Sequence, residues 1–279
     1  MNNPKITFIS TMNKKLYEHY GKRFLEEFDQ YAGKDIKLLN IFEGLDNVND
    51  NSDRIKNILF KDESHNKFKK FFGNLYEANG LKINVFNQNG EQRINFQNNY
   101  RFNAIKFSYK VFSIKYSLDF LENEDYLVWT DADLRCKKNF SSIDIVEFLP
   151  EEDQVMSYLG RTNFPPGRPY SECGFLGFNL KHSQFKQFIN RMVEVYSSGE
   201  IFSFVEWHDS WVWDQVRKEF EEKNINFKNI SGPIFEKLEH PFVNCNLGKF
   251  FDHLKGDRKN TGKSLAKDIM VNRKESYWQ

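Results

Sequence analysis

The sequence is short of cysteine and has no excess of charge of either sign. Its three cysteines, Cys136, Cys173 and Cys245, are odd in number and far apart. They make neither a disulfide framework nor a paired zinc motif, which fits a reducing compartment. Forty basic residues against thirty-nine acidic ones leave a net charge of +1. That balance argues against a dedicated nucleic-acid binder, whose phosphate contacts call for a basic excess. Long apolar runs are also missing. Residues 6–9 are too few for a signal-peptide core and nothing later approaches a membrane span, so the chain reads as cytoplasmic. No Pro/Gly-rich linker and no internal repeat divides the 279 residues, and one domain is the expectation. Aromatic residues are plentiful: 29 Phe supply a large core. The mean hydropathy of −0.69 comes from Asn, Lys and Glu spread over the surface.

Residues 5–10 form a β-like run, followed by Tyr17, Tyr20, Phe24, Phe28 and Tyr31 on one face of a helix, then a second strand over 36–42. This β-α-β opening predicts an α/β fold with a mostly parallel central sheet flanked by helices. Residues 46–66 read as polar and irregular, 68–78 as a helix, and the Asn/Gln-rich stretch 84–99 has no clear period. A long helix from Arg101 carries Phe102, Ile105, Tyr109, Phe112 and Tyr116, with Lys106 and Lys110 on another face. Residues 126–130 are an apolar run typical of a buried central strand. Further strands are expected at 155–159 and 175–180, a loop at 164–169, a helix capped by Ser183, and another helix after His208-Asp209-Ser210.

The central strand ends in Asp131-Ala-Asp133. Two carboxylates so close repel, and a divalent cation removes the conflict, since hard cations prefer carboxylate oxygen. In open α/β sheets ligands bind beyond the carboxyl ends of strands, which is where this pair falls. Asp is also a favoured turn residue, so the pair alone reads more readily as a turn.

Four features in order extend the reading: the opening strand and helix; Tyr126-Leu-Val-Trp-Thr-Asp-Ala-Asp133; Glu172-Cys-Gly-Phe-Leu-Gly-Phe-Asn179, followed by Asp209 and Asp214-Gln215; and His253-Leu-Lys255-Gly256. This set resembles the GT-A family of nucleotide-sugar glycosyltransferases, a Rossmann-like fold. The last segment is similar to the C-terminal H-x-K-G-like motif of metal-dependent members, although glycogenin-like members carry more residues between His and Gly. The resemblance implies transfer of a sugar from a nucleoside-diphosphate donor, uridine first and guanosine second, to a glycan, lipid-linked or other hydroxyl acceptor. It implies a donor half at 1–135, an acceptor half at 136–248 and a basic segment at 249–279 closing on the donor.

It also implies roles. Asp131 lies near the donor ribose and the metal, and Asp133 and His253 bind the metal. A nitrogen ligand favours Mn²⁺ over Mg²⁺, which prefers oxygen. Lys255 and the Gly256 backbone touch the diphosphate. Glu172 and Asp209 are the candidates for catalysis, by acid–base work or by stabilising positive charge, with Asp209 alternatively a helix cap. Thr11 or Ser10 is placed toward the base. Arg101 and Lys106 are donor-site candidates, and Lys106 and Lys110 alternatively line a solvated helix face. Trp207, Trp211 and Trp213 can stack on a sugar or serve the core.

The segment Gly256-Asp-Arg-Lys-Asn-Thr-Gly262-Lys263-Ser264 looks like a phosphate-binding P-loop, but it has five residues between its glycines where that loop has four, and it follows no buried strand. Residues 249–275 hold eight basic and four acidic residues, a tail that can fold over the donor, dock on anionic headgroups or stay solvated. An aspartyl-phosphate phosphatase would want its pair on the first strand with a hydroxyl residue where Arg135 stands. A sugar nucleotidyltransferase would want a glycine-rich loop after the first strand. A non-catalytic carbohydrate-binding module would need the aromatic residues without the ordered acidic set.

Overall fold

A computed structural model describes residues 3–44, 52–88, 91–162 and 169–279, with the side chains of 83–96 outside the description. Its strands are β1 (Ile6–Asn13), β2 (Ile36–Glu43), β3 (Ile55–Leu59), β4 (Leu81–Gln88), β5 (Glu91–Asn98), β6 (Tyr126–Thr130), β7 (Leu134–Cys136), β8 (Gln154–Leu159), β9 (Glu172–Asn179), β10 (Asn226–Asn229) and β11 (Phe251–His253). Seven of them make the central sheet in the order β10-β8-β9-β6-β1-β2-β3. Every neighbouring pair is parallel except those made by β9, which runs against both β6 and β8. The predicted α/β class with a mostly parallel sheet between helices is what the chain adopts.

Successive residues of each strand point to opposite faces, and the core divides accordingly. Phe8, Leu38 and Val128 pack with Phe24 and Phe28 on one face. Ile9, Leu39 and Trp129 pack with Phe112, Phe188 and Trp213 on the other. β9 is buried along its whole length, as a central strand covered on both faces must be. Each fully buried Phe contributes about 1.5–3 kcal/mol relative to exposure.

Several elements differ from the sequence reading. The stretch read as irregular holds β3, a short edge strand whose Ile55-Lys-Asn-Ile-Leu pattern is too mixed to stand out; residues 45–51 lie outside the description. The helix expected at 68–78 is Glu63–Phe72, capped by Asp62, whose carboxylate accepts from His65 N at 2.6 Å. The unplaced Asn/Gln-rich stretch forms the antiparallel hairpin β4–β5. The long helix is Ala104–Ser117, capped by Asn103, after a 3₁₀ turn at Tyr100–Phe102. The helix Phe185–Ser197 has Gln184 as its cap residue, not Ser183. Most of the expected loop at 164–169 lies outside the description. No helix among the described residues is long and apolar enough to cross a membrane.

Candidate functional site

The parallel strands β6, β1 and β2 end on one edge of the sheet, and the segments that leave those ends build the site. After β6 the chain turns through Asp131 and Asp133 into β7, which pairs antiparallel with β11 in the register His253↔Leu134. That small sheet carries His253 to the aspartates. Its Nε2 lies 3.2 Å from Asp133 Oδ1 and 3.5 Å from Asp131 Oδ2. One ligand atom from each of the three residues falls within 4.8 Å of the others. Asp133 Oδ1 is buried without a hydrogen-bond donor. Ligands about 2.1 Å from a shared cation stand roughly 3 Å apart, so two carboxylates, one imidazole and an orphaned oxygen fit a divalent cation.

The far side of His253 is fixed as well. Its Nδ1 lies 2.8 Å from Glu172 Oε1, at the start of β9. Gly174, two residues on, makes room for the ring: a Cβ there would sit 2.4 Å from His253 Cε1 and 2.5 Å from Nδ1. A glycine inside a strand often marks such a close approach. Glu172 is 1% exposed and also meets Lys255 Nζ at 2.8 Å and His240 Nδ1 at 3.3 Å. Burial works against its ionisation, but Lys255, His240 and His253 outweigh burial and hold it well below the usual carboxylate range. For His253 burial likewise opposes the charged form, and Asp133, Asp131 and Glu172 outweigh it.

The third element is the helix Ala104–Ser117. Lys110 is buried on it, and its three ammonium donors are taken by Asp131 Oδ1 (2.9 Å), Asp209 Oδ2 (2.5 Å) and Cys173 O (2.9 Å). Burial alone would lower this lysine, but the two aspartates hold it well above its ordinary value. Trp129 Nε1 donates to Asp131 Oδ1 at 2.8 Å. Asp209 is the first residue of the helix Asp209–Glu221, and the cap is His208, whose ring accepts from Trp211 N. From the other side, Lys259 Nζ reaches Asp133 Oδ2 at 2.7 Å and stands over the Tyr20 ring at 5.1 Å. Lys259 belongs to the short helix Arg258–Thr261, set between Gly256 (φ 54°) and Gly262 (φ 70°); both glycines take a left-handed backbone that other residues disfavour. The P-loop look-alike is therefore this helix with its two turns, and no phosphate cradle.

These groups open on a cavity of about 660 Å³ lined by Asp131, Asp133, Asp209, Lys110 and Lys259 at one end. At the other end stand Thr11, Asn13, Glu43 and Phe60, with Lys69 and Lys106 at the side. Thr11 Oγ1, with a single proton to give, lies 2.9 Å from Ile41 O and 3.1 Å from Glu43 Oε1. Burial pushes Glu43 up to about 7, against the pull of the Thr11 hydroxyl.

The structure thus brings Asp131, Asp133, His253 and Asp209 together, with Thr11 and Lys106 on the same cavity. Glu172 and Lys255 lie behind His253 and do not line it. Arg101 stands apart, 3.5 Å from the buried Glu206, and Gly256 is exposed. Trp213 is core, at 1% exposure, and Trp207 donates to Phe204 O at 3.0 Å. Asp214 holds Ser171 through 2.7 and 2.6 Å bonds. Lys259 and Glu43 escape a reading of the sequence, and Lys110 enters it only as one of two helix-surface lysines. The basic tail packs on the body: Asn244 Nδ2 donates to Asp268 O at 2.9 Å, Met270 N to Asn244 Oδ1 at 2.7 Å and Trp278 Nε1 to Gly248 O at 2.7 Å.

No family profile matches the sequence, and no curated protein matches it. Among solved structures the chain is similar to the crystal structure of a glycosyltransferase involved in the glycosylation of the major capsid of PBCV-1. The TM-score is 0.50 at 10% sequence identity, over 92% of this chain and 100% of that one. At that identity the likeness concerns the fold.

Proposed function

We propose that this chain is a metal-dependent glycosyltransferase of the GT-A type, moving a sugar from a uridine or guanosine diphosphate donor to a hydroxyl acceptor. The observation that carries the reading is the Asp131–Asp133–His253 group beyond the carboxyl end of β6, facing a cavity that also presents Lys259 and Lys110. The shared fold with a solved glycosyltransferase supports it. Two strand spacings, roughly 10 Å, separate β6 from β2. That leaves room for a ribose and base between the cation group and the Thr11–Glu43 end.

Asp131, Asp133 and His253 would hold the cation, Mn²⁺ being favoured by the imidazole nitrogen. When bound, it neutralises the charge that builds on the β-phosphate as the sugar leaves. Glu172 positions His253 through Nδ1, as carboxylates behind metal-bound histidines do. Its burial makes it a positioning residue; it has no access to an acceptor. Lys259, beside Asp133, offers an ammonium to the same phosphate oxygens. Lys110 fixes Asp209 beside Asp131. Held there on the cavity wall, Asp209 suits holding sugar hydroxyls and stabilising positive charge at the reacting carbon.

The test is release of nucleoside diphosphate from a panel of uridine and guanosine diphosphate sugars with Mn²⁺. Wild type should turn over at least one donor. Asp133→Asn and His253→Ala should lose about 10²–10⁴-fold while keeping the metal-free melting temperature within a few degrees, because removing one clustered carboxylate relieves repulsion. No release from any donor, or normal turnover in both variants at subsaturating Mn²⁺, contradicts the reading.

A further inference from the structure

Apolar side chains left in solvent are concentrated in one place. Of the ten large ones exposed among the described residues, Phe71, Leu75, Tyr76, Tyr100 and Val205 sit on segments that pack against one another, with Phe71 74% exposed. A chain of ring contacts runs beneath them, Phe71–Phe72 at 6.4 Å, Phe72–Phe202 at 4.9 Å, Phe202–Trp207 at 5.1 Å and Phe102–Trp207 at 5.2 Å. Trp207 N donates to Arg101 O at 2.7 Å, tying Val205 to Tyr100. The patch borders the cavity, which Asn66, Lys69, Asn79, Asn103 and Lys106 line from the same segments. Isolated exposed apolar residues need no explanation, but a cluster of this kind marks an interaction surface.

We infer that this face docks on an anionic lipid surface, with the cavity mouth turned toward it. The lysines decide the occupant. Lys67, Lys70, Lys82 and Lys106 are exposed on the segments that carry or adjoin these rings, against exposed Glu63 and Glu77 and a Glu200 already paired with Arg191. Protruding apolar rings set among ammonium groups match acyl chains beneath phosphate headgroups. A second copy is a poorer fit, because a two-fold contact sets identical patches together and brings the same lysines against each other.

Flotation with vesicles tests this without reference to sugar transfer, and a failed turnover assay would leave it standing. Phosphatidylcholine vesicles containing about one third phosphatidylglycerol should carry the wild-type protein, pure phosphatidylcholine should not, and salt should weaken binding. The double variant Phe71→Ser with Leu75→Ser should bind at least about tenfold more weakly, as should Lys67→Glu with Lys70→Glu, each with an unchanged melting temperature. Absence of wild-type flotation overturns the inference, as does binding indifferent to both pairs. So does a dimer in lipid-free solution that the Phe71→Ser, Leu75→Ser pair dissociates.

Discussion

Gly174 is the residue on which the Asp131–Asp133–His253 group depends most indirectly. It binds nothing, yet its missing side chain is the space His253 occupies. Gly174→Ala must push the ring away from Asp131 and Asp133, because the contact is with a ring held by Glu172 and not with a flexible chain end. Manganese affinity, measured by calorimetry on the folded variant, should fall about 10–100-fold. Unchanged affinity would show that His253 takes no part. Lys110 shows the same logic with charge: a buried ammonium with all three donors used links the aspartate that ends β6 to the one that opens the helix Asp209–Glu221. Partners of this kind are invisible to a reading by residue type, where Lys110 looks like any surface lysine one turn from Lys106. That helix buries more than its aromatic stripe, with Ser108, Ser113 and Ser117 buried on it as well as Lys110.

Among elements, the helix Glu63–Phe72 carries a buried titratable group that makes a separate prediction. His65 is fully buried, and its Nε2 donates to Ser108 Oγ at 2.9 Å, because that hydroxyl already donates to Ile105 O at 2.7 Å. Nδ1 has no hydrogen-bond partner. Burial, with Lys69 nearby, drops this histidine to about 3. Between about 3 and the unfolded value near 6.5 the unfolded chain binds a proton that the folded chain does not. Stability therefore falls as pH drops below about 6.5, by at most about 1.4 kcal/mol per pH unit from this group. Urea unfolding at pH 7 and pH 5 should show His65→Gln losing less stability than wild type by up to about 2 kcal/mol; parallel losses would mean His65 is charged in the fold. The elements with clean periods, β1, β2, β6 and the helix Phe185–Ser197, were legible in the sequence. β3 and the β4–β5 hairpin were not, because short polar strands are specified by their neighbours more than by their own pattern. Asp131 and Asp133 were legible because strand ends set where ligands lie, and His253 was legible only through the resemblance of His253-Leu-Lys255-Gly256 to a C-terminal motif. Lys259 was not, since only the β7–β11 pairing brings the tail across the aspartates.

At the scale of the molecule, the fold sets three strand ends side by side and closes them with a packed C-terminal segment, giving one cavity acidic at the Asp131–Asp133 end and lined there with lysine. In the cation-free protein Lys110, Lys255 and Lys259 answer the carboxylates of Asp131, Asp209, Glu172 and Asp133. A cation added to that balance leaves local positive charge that an anionic diphosphate would offset, so cation and nucleotide should bind as a pair. The most direct measurement is the melting temperature with uridine or guanosine diphosphate in Mn²⁺ and in chelator, since a ligand of the folded state raises it. The account predicts that one of the two nucleotides raises the melting temperature far more with Mn²⁺ than in chelator, and that Asp133→Asn abolishes the difference. Equal shifts in Mn²⁺ and in chelator would contradict a cation bridging Asp131, Asp133 and the diphosphate.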